Sequence, residues 1–154
     1  SLHAYGEKLT DMVANCNLLR DTLDMVRKFF RILLAIFYFG AGVLHLKSPD
    51  GFLQITPAWV PFPEAVVAFT GIAEIAGAIG LFIPKFSRAA GIGLALYALC
   101  VWPANFNHAL SDIAIGGRDL DWWYHGPRLV FQPFLIWLAL WVGNVTDWPF
   151  RKTA

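Results

Sequence analysis

The sequence is poor in charge and in cysteine. Lys and Arg number 12 and Asp and Glu 11 among 154 residues, which leaves a net charge of +1. A charge so low, with no basic face, gives no reason to expect a nucleic-acid partner. The only cysteines, Cys16 and Cys100, form no CxxC motif, so a dithiol mechanism is poorly supported and we expect both to be packing residues.

Metal-binding and targeting motifs are also missing. His45, Glu74 and His108 are suitable metal ligands by type, but no HxxxH or ExxH spacing connects them, so we predict no metal site. Residues 1–28 mix charged and apolar residues instead of joining a basic tip to an apolar core. We therefore expect no secretory signal.

Apolar residues are abundant. Hydrophobic residues make up 57% of the chain and aromatic residues 16%, and the mean hydropathy is +0.53. A soluble domain this short could not bury so much apolar surface. Four apolar stretches approach the roughly 20 residues that cross a bilayer core of about 30 Å: 29–46, 65–83, 89–108 and 129–143. We predict an all-α bundle of four transmembrane helices in the lipid bilayer, with a domain at 29–146 and a tail at 147–154.

Basic residues predict the orientation, and they flank the two shorter stretches. Arg31 and Arg128 are expected to extend their charged ends towards headgroups or water.

Lys and Arg near the membrane are retained on the cytoplasmic side. They concentrate in the N-terminal segment, in the connection that holds Lys85 and Arg88, and in the tail. Both termini are therefore predicted to be cytoplasmic, in a bacterial inner membrane.

The N-terminal segment, residues 1–28, shows helical amphipathicity. Its apolar residues follow helical spacing, although Arg20 falls on the apolar face; they are Leu9, Met12, Val13, Cys16, Leu19, Leu23 and Val26. This pattern predicts an amphipathic helix that lies on the membrane surface or packs on a partner. A segment that only caps the bundle is the alternative.

The two external connections differ in composition. The first begins with a turn-like sequence at 48–51 and contains Pro57, Pro61 and Pro63, which exclude a regular helix there. We expect it to lie along the outer surface. The second, residues 109–127, contains the aromatic cluster Trp122 to His125, which is typical of an interfacial anchor and, alternatively, of a binding site.

Glu74 is the only charged residue in the second apolar stretch. At about 1.5 Å per residue it lies roughly 14 Å below the outer end of the predicted helix. An ionisable group at this depth indicates a functional site, with a structural ion pair or a neutral acid as the alternative. We predict that Glu74 is catalytic.

Other polar residues lie at the predicted outer ends of the remaining helices. Asn105 and His108 are three residues apart and Arg128 and Gln132 four apart, so each pair shares a helix face. We predict one polar pocket in the outer half of the bundle that binds a ligand through His45, Asn105, His108, Arg128 and Gln132. Pro103 and Pro133 lack an N–H, which would leave the carbonyls of Leu99 and Leu129 free for another donor.

Small residues spaced four apart should allow the helices to approach closely. They are Ala73 and Gly77, Ala76 and Gly80, and Gly91 and Ala95. Around such a pocket a quinone or a similar amphipathic molecule fits best, because its carbonyls need donors and its ring and tail need apolar walls.

Three hypotheses of function follow. The first is a membrane subunit that binds a quinone in a redox system, as part of a quinone-linked oxidoreductase. The second is a non-catalytic accessory or assembly subunit of a larger membrane complex, with a membrane protein partner or in a homo-oligomer. The third is a transporter, because the chain has an acidic residue within the membrane, although no internal repeat supports it.

Four segments resemble one family. FYFGAGVLHLKSPDGF (37–52), GIAEIAGAIGLFIP (71–84), AAGIGLALYALC (89–100) and PRLVFQPFLIWLALW (127–141) are similar to the DoxX-like family of small four-helix membrane proteins. Its relatives include subunits associated with thiosulfate:quinone oxidoreduction and accessory proteins of methylamine utilisation. The resemblance implies a redox or maturation role and carries over two polar positions, His45 and Glu74.

Overall fold

The computed structural model describes residues 2–110 and 122–150, with side chains from residue 5 onward, and consists in these ranges of five helices joined by turns and short loops. Its helices are α1 (Leu2–Lys47), α2 (Asp50–Ile55), α3 (Pro63–Gly80), α4 (Ser87–Leu110) and α5 (Trp122–Val142). No strand occurs in the described ranges. The predicted all-α class is therefore confirmed.

Two helix ends and one short helix differ notably from the prediction. α3 ends at Gly80 and not at residue 83, because the next residues form a turn in which Phe82 N–H donates to Ile79 O. α5 begins at Trp122, seven residues before the predicted start at 129. The short helix α2 was not predicted, since its sequence begins like a turn.

The exposed surface of the long helices is apolar and suits a lipid environment. Parts of α1, α3 and α4 are long and apolar enough to cross a membrane. In α3 the side chains of Phe69 and Ile72 are 71% and 57% exposed, whereas Glu74 is only 2% exposed. Such extensive exposed apolar surface is unfavourable in water and favourable in lipid, while the ionisable group is kept away from the lipid inside the protein. The chain is a membrane-embedded protein.

The four long helices contact one another in a ring. α1 and α4 each pack on α3 and on α5. We call the end at which α1 and α4 finish the outer end, and the opposite end the inner end. The apolar core lies in the inner half, and its largest side chains include Leu34, Tyr38, Leu94, Leu138 and Trp141.

Two glycines bring α1 and α3 into backbone contact. A Cβ on Gly42 would lie 2.6 Å from the carbonyl oxygen of Gly71, and a Cβ on Gly71 would lie 2.8 Å from the Cβ of His45. His45 follows Gly42 by three residues, and Glu74 follows Gly71 by three. Because residues three apart share a helix face, this crossing places His45 beside Glu74.

The glycines of the predicted small-residue pairs also lie at helix contacts. On α3, Gly77 faces the side chain of Leu94 and Gly80 faces Ala90, both on α4. Gly91 of α4 lies against the carbonyl of Ala139 and against Gly143. The prediction that these residues allow close approach is confirmed for the glycines, and the Gly42–Gly71 crossing was missed.

A clamp at the inner end joins α1 to the end of α5. The Arg27 guanidinium donates to Asn144 Oδ1 at 2.8 Å and to Asp147 Oδ1 at 2.5 Å, and it lies over the ring of Trp141. Arg31 donates from Nε and Nη2 to the carbonyl of Val142, at 2.9 and 2.6 Å. Arg31 was predicted to extend towards headgroups; it binds a terminal helix carbonyl, an end that attracts cations.

Residues 5–22 of α1 are exposed along their whole length. Helix α1 has 46 residues, which corresponds to about 69 Å, and it continues without a break across the predicted boundary between residues 28 and 29. No Gly or Pro occurs from Glu7 to Phe39. Since sharp kinks need such residues or an inserted group, the N-terminal part continues the membrane-embedded part of the same helix.

Candidate functional site

The six predicted site residues lie together in the outer half as three pairs. The first pair is His45 and Glu74, held side by side by the Gly42–Gly71 crossing. His45 Nδ1 lies 3.0 Å from Glu74 Oε2 and 2.9 Å from the carbonyl oxygen of Ala41. One N–H cannot point at both oxygens, and the aligned hydrogen bond is the one to Ala41. Among the described residues, Glu74 Oε2 therefore has an electrostatic neighbour but no aligned donor.

The second pair links α4 to α5 through amide groups. Asn105 Nδ2 donates to Gln132 Oε1 at 3.2 Å, and Gln132 Nε2 donates to the carbonyl oxygen of Ala98 at 2.6 Å. Pro103 was predicted to free the carbonyl of Leu99 for such a donor; Gln132 binds the neighbouring carbonyl instead. Asn105 and Gln132 are both buried, so their hydrogen bonds fix the orientation of the two amides.

The third pair is His108 and Arg128. Arg128 Nη1 lies 2.6 Å from His108 Nδ1. A guanidinium can only donate, so Nδ1 accepts and the neutral imidazole carries its proton on Nε2. His108 is completely buried, and the Arg128 guanidinium also lies 5.7 Å from the centroid of the Tyr124 ring.

A cavity of about 170 Å³ lies among these pairs, and one member of each pair lines it. The lining members are His45, Asn105 and Arg128, whereas Glu74, Gln132 and His108 stand behind them. Each lining side chain is thus held in place by a buried partner. Such support for the groups that meet a ligand is typical of preorganised binding sites.

The remaining wall of the cavity is mostly apolar. It includes Ile55, Val67, Val101 and the exposed residue Cys100, together with the hydroxyls of Thr56 and Thr70. A cavity of about 150 Å³ can hold one benzene ring. The space therefore suits a single ring and excludes a long chain, which has to leave through an opening.

Helix α2 covers the outer side of the cavity. The ring of Phe52 stacks on that of His45, with centroids 3.7 Å apart and planes 22° from parallel. Asn107 Nδ2 donates to the carbonyl of Ile55 at 3.3 Å, which attaches the end of α2 to α4. α2 therefore separates His45 from the outer surface.

Tyr97 connects the cavity to a second space, and sequence reasoning missed it. Its side chain lies near enough to the Glu74 carboxylate to interact with it electrostatically. Tyr97 lines the cavity and also a groove of about 550 Å³ between α3 and α4. The groove walls are small or apolar and include Ala73, Gly77, Ala90 and Gly93. Tyr97 precedes Asn105 by eight residues, two helical turns on one face, and this spacing could have identified it.

The aromatic cluster forms the first turn of α5. The indoles of Trp122 and Trp123 are 63% and 90% exposed, as expected for an interfacial anchor. His125 points the other way and is buried, with its ring edge-to-face on that of His108 at a centroid distance of 4.7 Å. The acidic residues of this connection, Asp112, Asp119 and Asp121, lie outside the described residues.

Two earlier expectations about metal and cysteine can be compared with the structure. Cys16 and Cys100 are both exposed and not packing residues. Among the described residues, no three His, Cys, Asp or Glu side chains lie close enough together to hold a metal ion.

Comparison with known proteins gives one match. A family model described as "Domain of unknown function (DUF8561)" matches residues 34–143, and the chain belongs to this family. The matched range contains all six site residues and leaves out the exposed part of α1. No curated protein matches the sequence. No solved structure matches it either.

Proposed function

We propose that this member of the DUF8561 family binds a quinone, or a molecule of similar chemistry, with its ring in the outer-half cavity. The observation that carries the proposal is the arrangement of three lining polar side chains, each held by a buried partner, around a space that fits one ring. Ring carbonyls accept hydrogen bonds, and Arg128 and Asn105 line the cavity and carry N–H groups beyond those they use towards His108 and Gln132. The Nδ1–H of His45 is used by the Ala41 carbonyl, so His45 would donate to a ring carbonyl from Nε2 when its imidazole is protonated.

The groove between α3 and α4 offers a place for the apolar tail of such a molecule. From Tyr97 to Phe86 the groove between α3 and α4 runs along eleven residues, about 16 Å, or roughly half the thickness of the hydrocarbon core. An isoprenoid or acyl tail in this groove would lie within one leaflet while its ring occupies the cavity. Because Tyr97 borders both spaces, it would contact the ring and the beginning of the tail.

Glu74 is the group that we propose exchanges protons with the bound ring. It is the single carboxylate in the membrane-embedded part of α3; it lies 3.0 Å from His45 and interacts electrostatically with Tyr97, and both residues line the cavity. A quinone that receives two electrons from an external electron donor takes up two protons. Glu74 in its protonated form would pass on one proton at a time through either neighbour and would then be reprotonated. The resemblance to DoxX-like proteins favours the same redox role. The redox role and the identity of the ligand are both predictions.

The membrane arrangement that goes with this function has α5 as the fourth crossing helix, since it packs along α4 and α1. Both termini would then lie on the cytoplasmic side of a bacterial inner membrane, where Lys85 and Arg88 follow the end of α3. The cavity would open near the opposite surface.

The test is to extract the protein in mild detergent and to identify retained small molecules by mass spectrometry, in the wild type and in Glu74→Gln. We expect a quinone or similar molecule in the wild type and at least a tenfold smaller amount in Glu74→Gln, since losing one charge-assisted contact weakens binding by about 1.5–3 kcal/mol. Glu64→Gln is the matched control, because Glu64 is exposed on the same helix.

The variants must first melt within a few degrees of the wild type, so that a lost ligand does not reflect unfolding. Equal retention in wild type, Glu74→Gln and Glu64→Gln would contradict the role of Glu74. A wild type that retains nothing, and that also fails to bind added short-chain quinone, would contradict the proposed ligand class.

An accessory or assembly role is the second candidate, favoured by the exposed helix at residues 5–22. Removing residues 2–22 tests it and keeps Arg27, which the inner-end clamp needs. Loss of a co-purifying membrane protein with ligand retention unchanged would favour the accessory role. Unchanged partners would count against it.

A further inference from the structure

The exposed part of α1 carries a heptad repeat without a break. From residue 5 to residue 26 the apolar positions alternate by four and three: Tyr5, Leu9, Met12, Cys16, Leu19, Leu23 and Val26. Assigned as heptad positions, Leu9, Cys16 and Leu23 occupy a, and Tyr5, Met12, Leu19 and Val26 occupy d. Repeats of 3.5 residues sustained over three heptads are the pattern of a coiled-coil seam, which we call the N-terminal seam.

Nothing in the described part of the chain covers this seam. Side chains at residues 5–22 are exposed, and those of Tyr5, Met12 and Leu19 are more than half exposed. From Leu2 to Val26 the helix is about 36 Å long, and with about 20 residues before Lys47 sufficient to cross the membrane, most of this length lies beyond the bilayer. A straight helix cannot fold back onto the membrane surface without a break, and residues 7–39 contain no Gly or Pro.

We propose that the N-terminal seam pairs with the same seam of a second copy in a parallel two-stranded coiled coil. The membrane determines the parallel direction, because copies inserted with one topology extend their first helices on the same side. Insertion also keeps two copies in one plane, and such confinement raises their effective concentration. Three heptads can then associate although they are short.

The residues that flank the seam are compatible with this pairing. In a parallel dimer each g position faces the following e position of the partner helix. The facing pairs would be Lys8 with Val13, Asn15 with Arg20, and Thr22 with Arg27, and none of them opposes like charges. Arg20, which did not fit a simple amphipathic pattern, is an e residue whose stem would cover the seam while its guanidinium reaches Asn15.

The body of the protein leaves room for the partner helix. At the level where α1 packs on α5, the inner-end clamp holds Arg27 and Arg31 towards α5. The d positions there, Val26 and Leu33, are still 40% and 45% exposed, whereas the a position between them, Phe30, packs on Trp141 of α5. A second α1 can therefore follow the seam as far as Val26 without displacing α5.

Adjacent leucines provide a matched test. Leu18 and Leu19 are 65% and 64% exposed, but only Leu19 lies on the seam, since Leu18 occupies position c. We expect Leu19→Asp to raise the dimer dissociation constant at least about tenfold and Leu18→Asp to change it less than twofold. Light scattering on the full chain in detergent, over a concentration series, measures both. A monomeric wild type, or equal effects of the two substitutions, would overturn the proposal.

Cys16 gives a second test, in native membranes. In a Cys100→Ser background we expect mild oxidant to link two copies through Cys16, because equivalent a residues of parallel helices face each other. The control carries Cys16→Ser and Ala14→Cys, which moves the thiol to position f on the opposite face. Cross-linking at Cys16 that greatly exceeds that at position 14 supports the seam. No cross-link at Cys16, or an equal yield at both positions, contradicts it.

Discussion

Gly42 and Gly71 show how much of the site depends on residues without side chains. Their contact lets α1 and α3 approach until His45 meets Glu74, and no polar group is involved in that approach. The polar residues themselves were visible in the sequence, because Glu74, Asn105 and Gln132 interrupt apolar stretches in which polar groups are rare. Tyr97 and Phe52 were not, since a chain with 16% aromatic residues offers many equally plausible rings.

Replacing a glycine by alanine should cost stability at the Gly42–Gly71 contact and not elsewhere on the same helix. Gly42→Ala should destabilise the protein by about 1–3 kcal/mol, since its Cβ would be forced against a backbone oxygen. Gly40→Ala, with no atom within 4 Å of the new Cβ, should be neutral or stabilising by up to about 1 kcal/mol. Thermal unfolding in detergent compares them, and equal melting temperatures would contradict the proposed role of the crossing.

Helix α2 is the element that the sequence concealed. Ser48, Pro49, Asp50 and Gly51 have turn composition, and six residues are too few for a periodic pattern to appear. Its position depends on two contacts from other helices: the His45 ring under Phe52, and Asn107 on the Ile55 carbonyl. Tertiary contacts thus stabilise a helix that local propensity does not favour.

Helix α2 should become more mobile when its hydrogen bond to Asn107 is removed. Asn107→Ala should speed amide hydrogen exchange over residues 50–56 several-fold and leave α3 unchanged, because the end of α2 loses its attachment to α4. Phe106→Ala, on the exposed side of the same turn, is the control. Exchange measured by mass spectrometry distinguishes them, and unaltered exchange in α2 would exclude Asn107 as its attachment.

The hydropathy pattern predicted the ends of α4 well but not the start of α5. Hydropathy placed α4 within two residues at each end, because its apolar run and its termini coincide. It placed the start of α5 seven residues late, since Trp122 to Arg128 mixes aromatic, basic and proline residues that a hydropathy argument assigns to a loop. Proline at Pro127 is tolerated there near the beginning of the helix.

At the scale of the whole molecule, the distribution of basic residues predicts sidedness. On a cysteine-free chain, a thiol-reactive probe that does not cross membranes should label a cysteine placed at Ala14, on the face opposite the N-terminal seam, only when the cytoplasmic side is accessible, as in inverted vesicles. A cysteine placed at exposed Ala58 on a cysteine-free chain should show the opposite. Labelling of both from the same side would contradict the proposed topology.

Helix α1 is one continuous helix that extends on both sides of the inner-end clamp. It is fixed near one end by the contacts around His45, held at Arg27 and Arg31, and free beyond them. Over the roughly 36 Å from Val26 to Leu2, a tilt of about 10° at the clamp would displace the N-terminal end by about 6 Å. On the other side of the clamp, His45 lies about 28 Å from Val26 on the same helix, so the same tilt would move it by about 5 Å. A displacement of α1 beside the cavity would therefore reach the N-terminal end slightly enlarged and in the opposite direction.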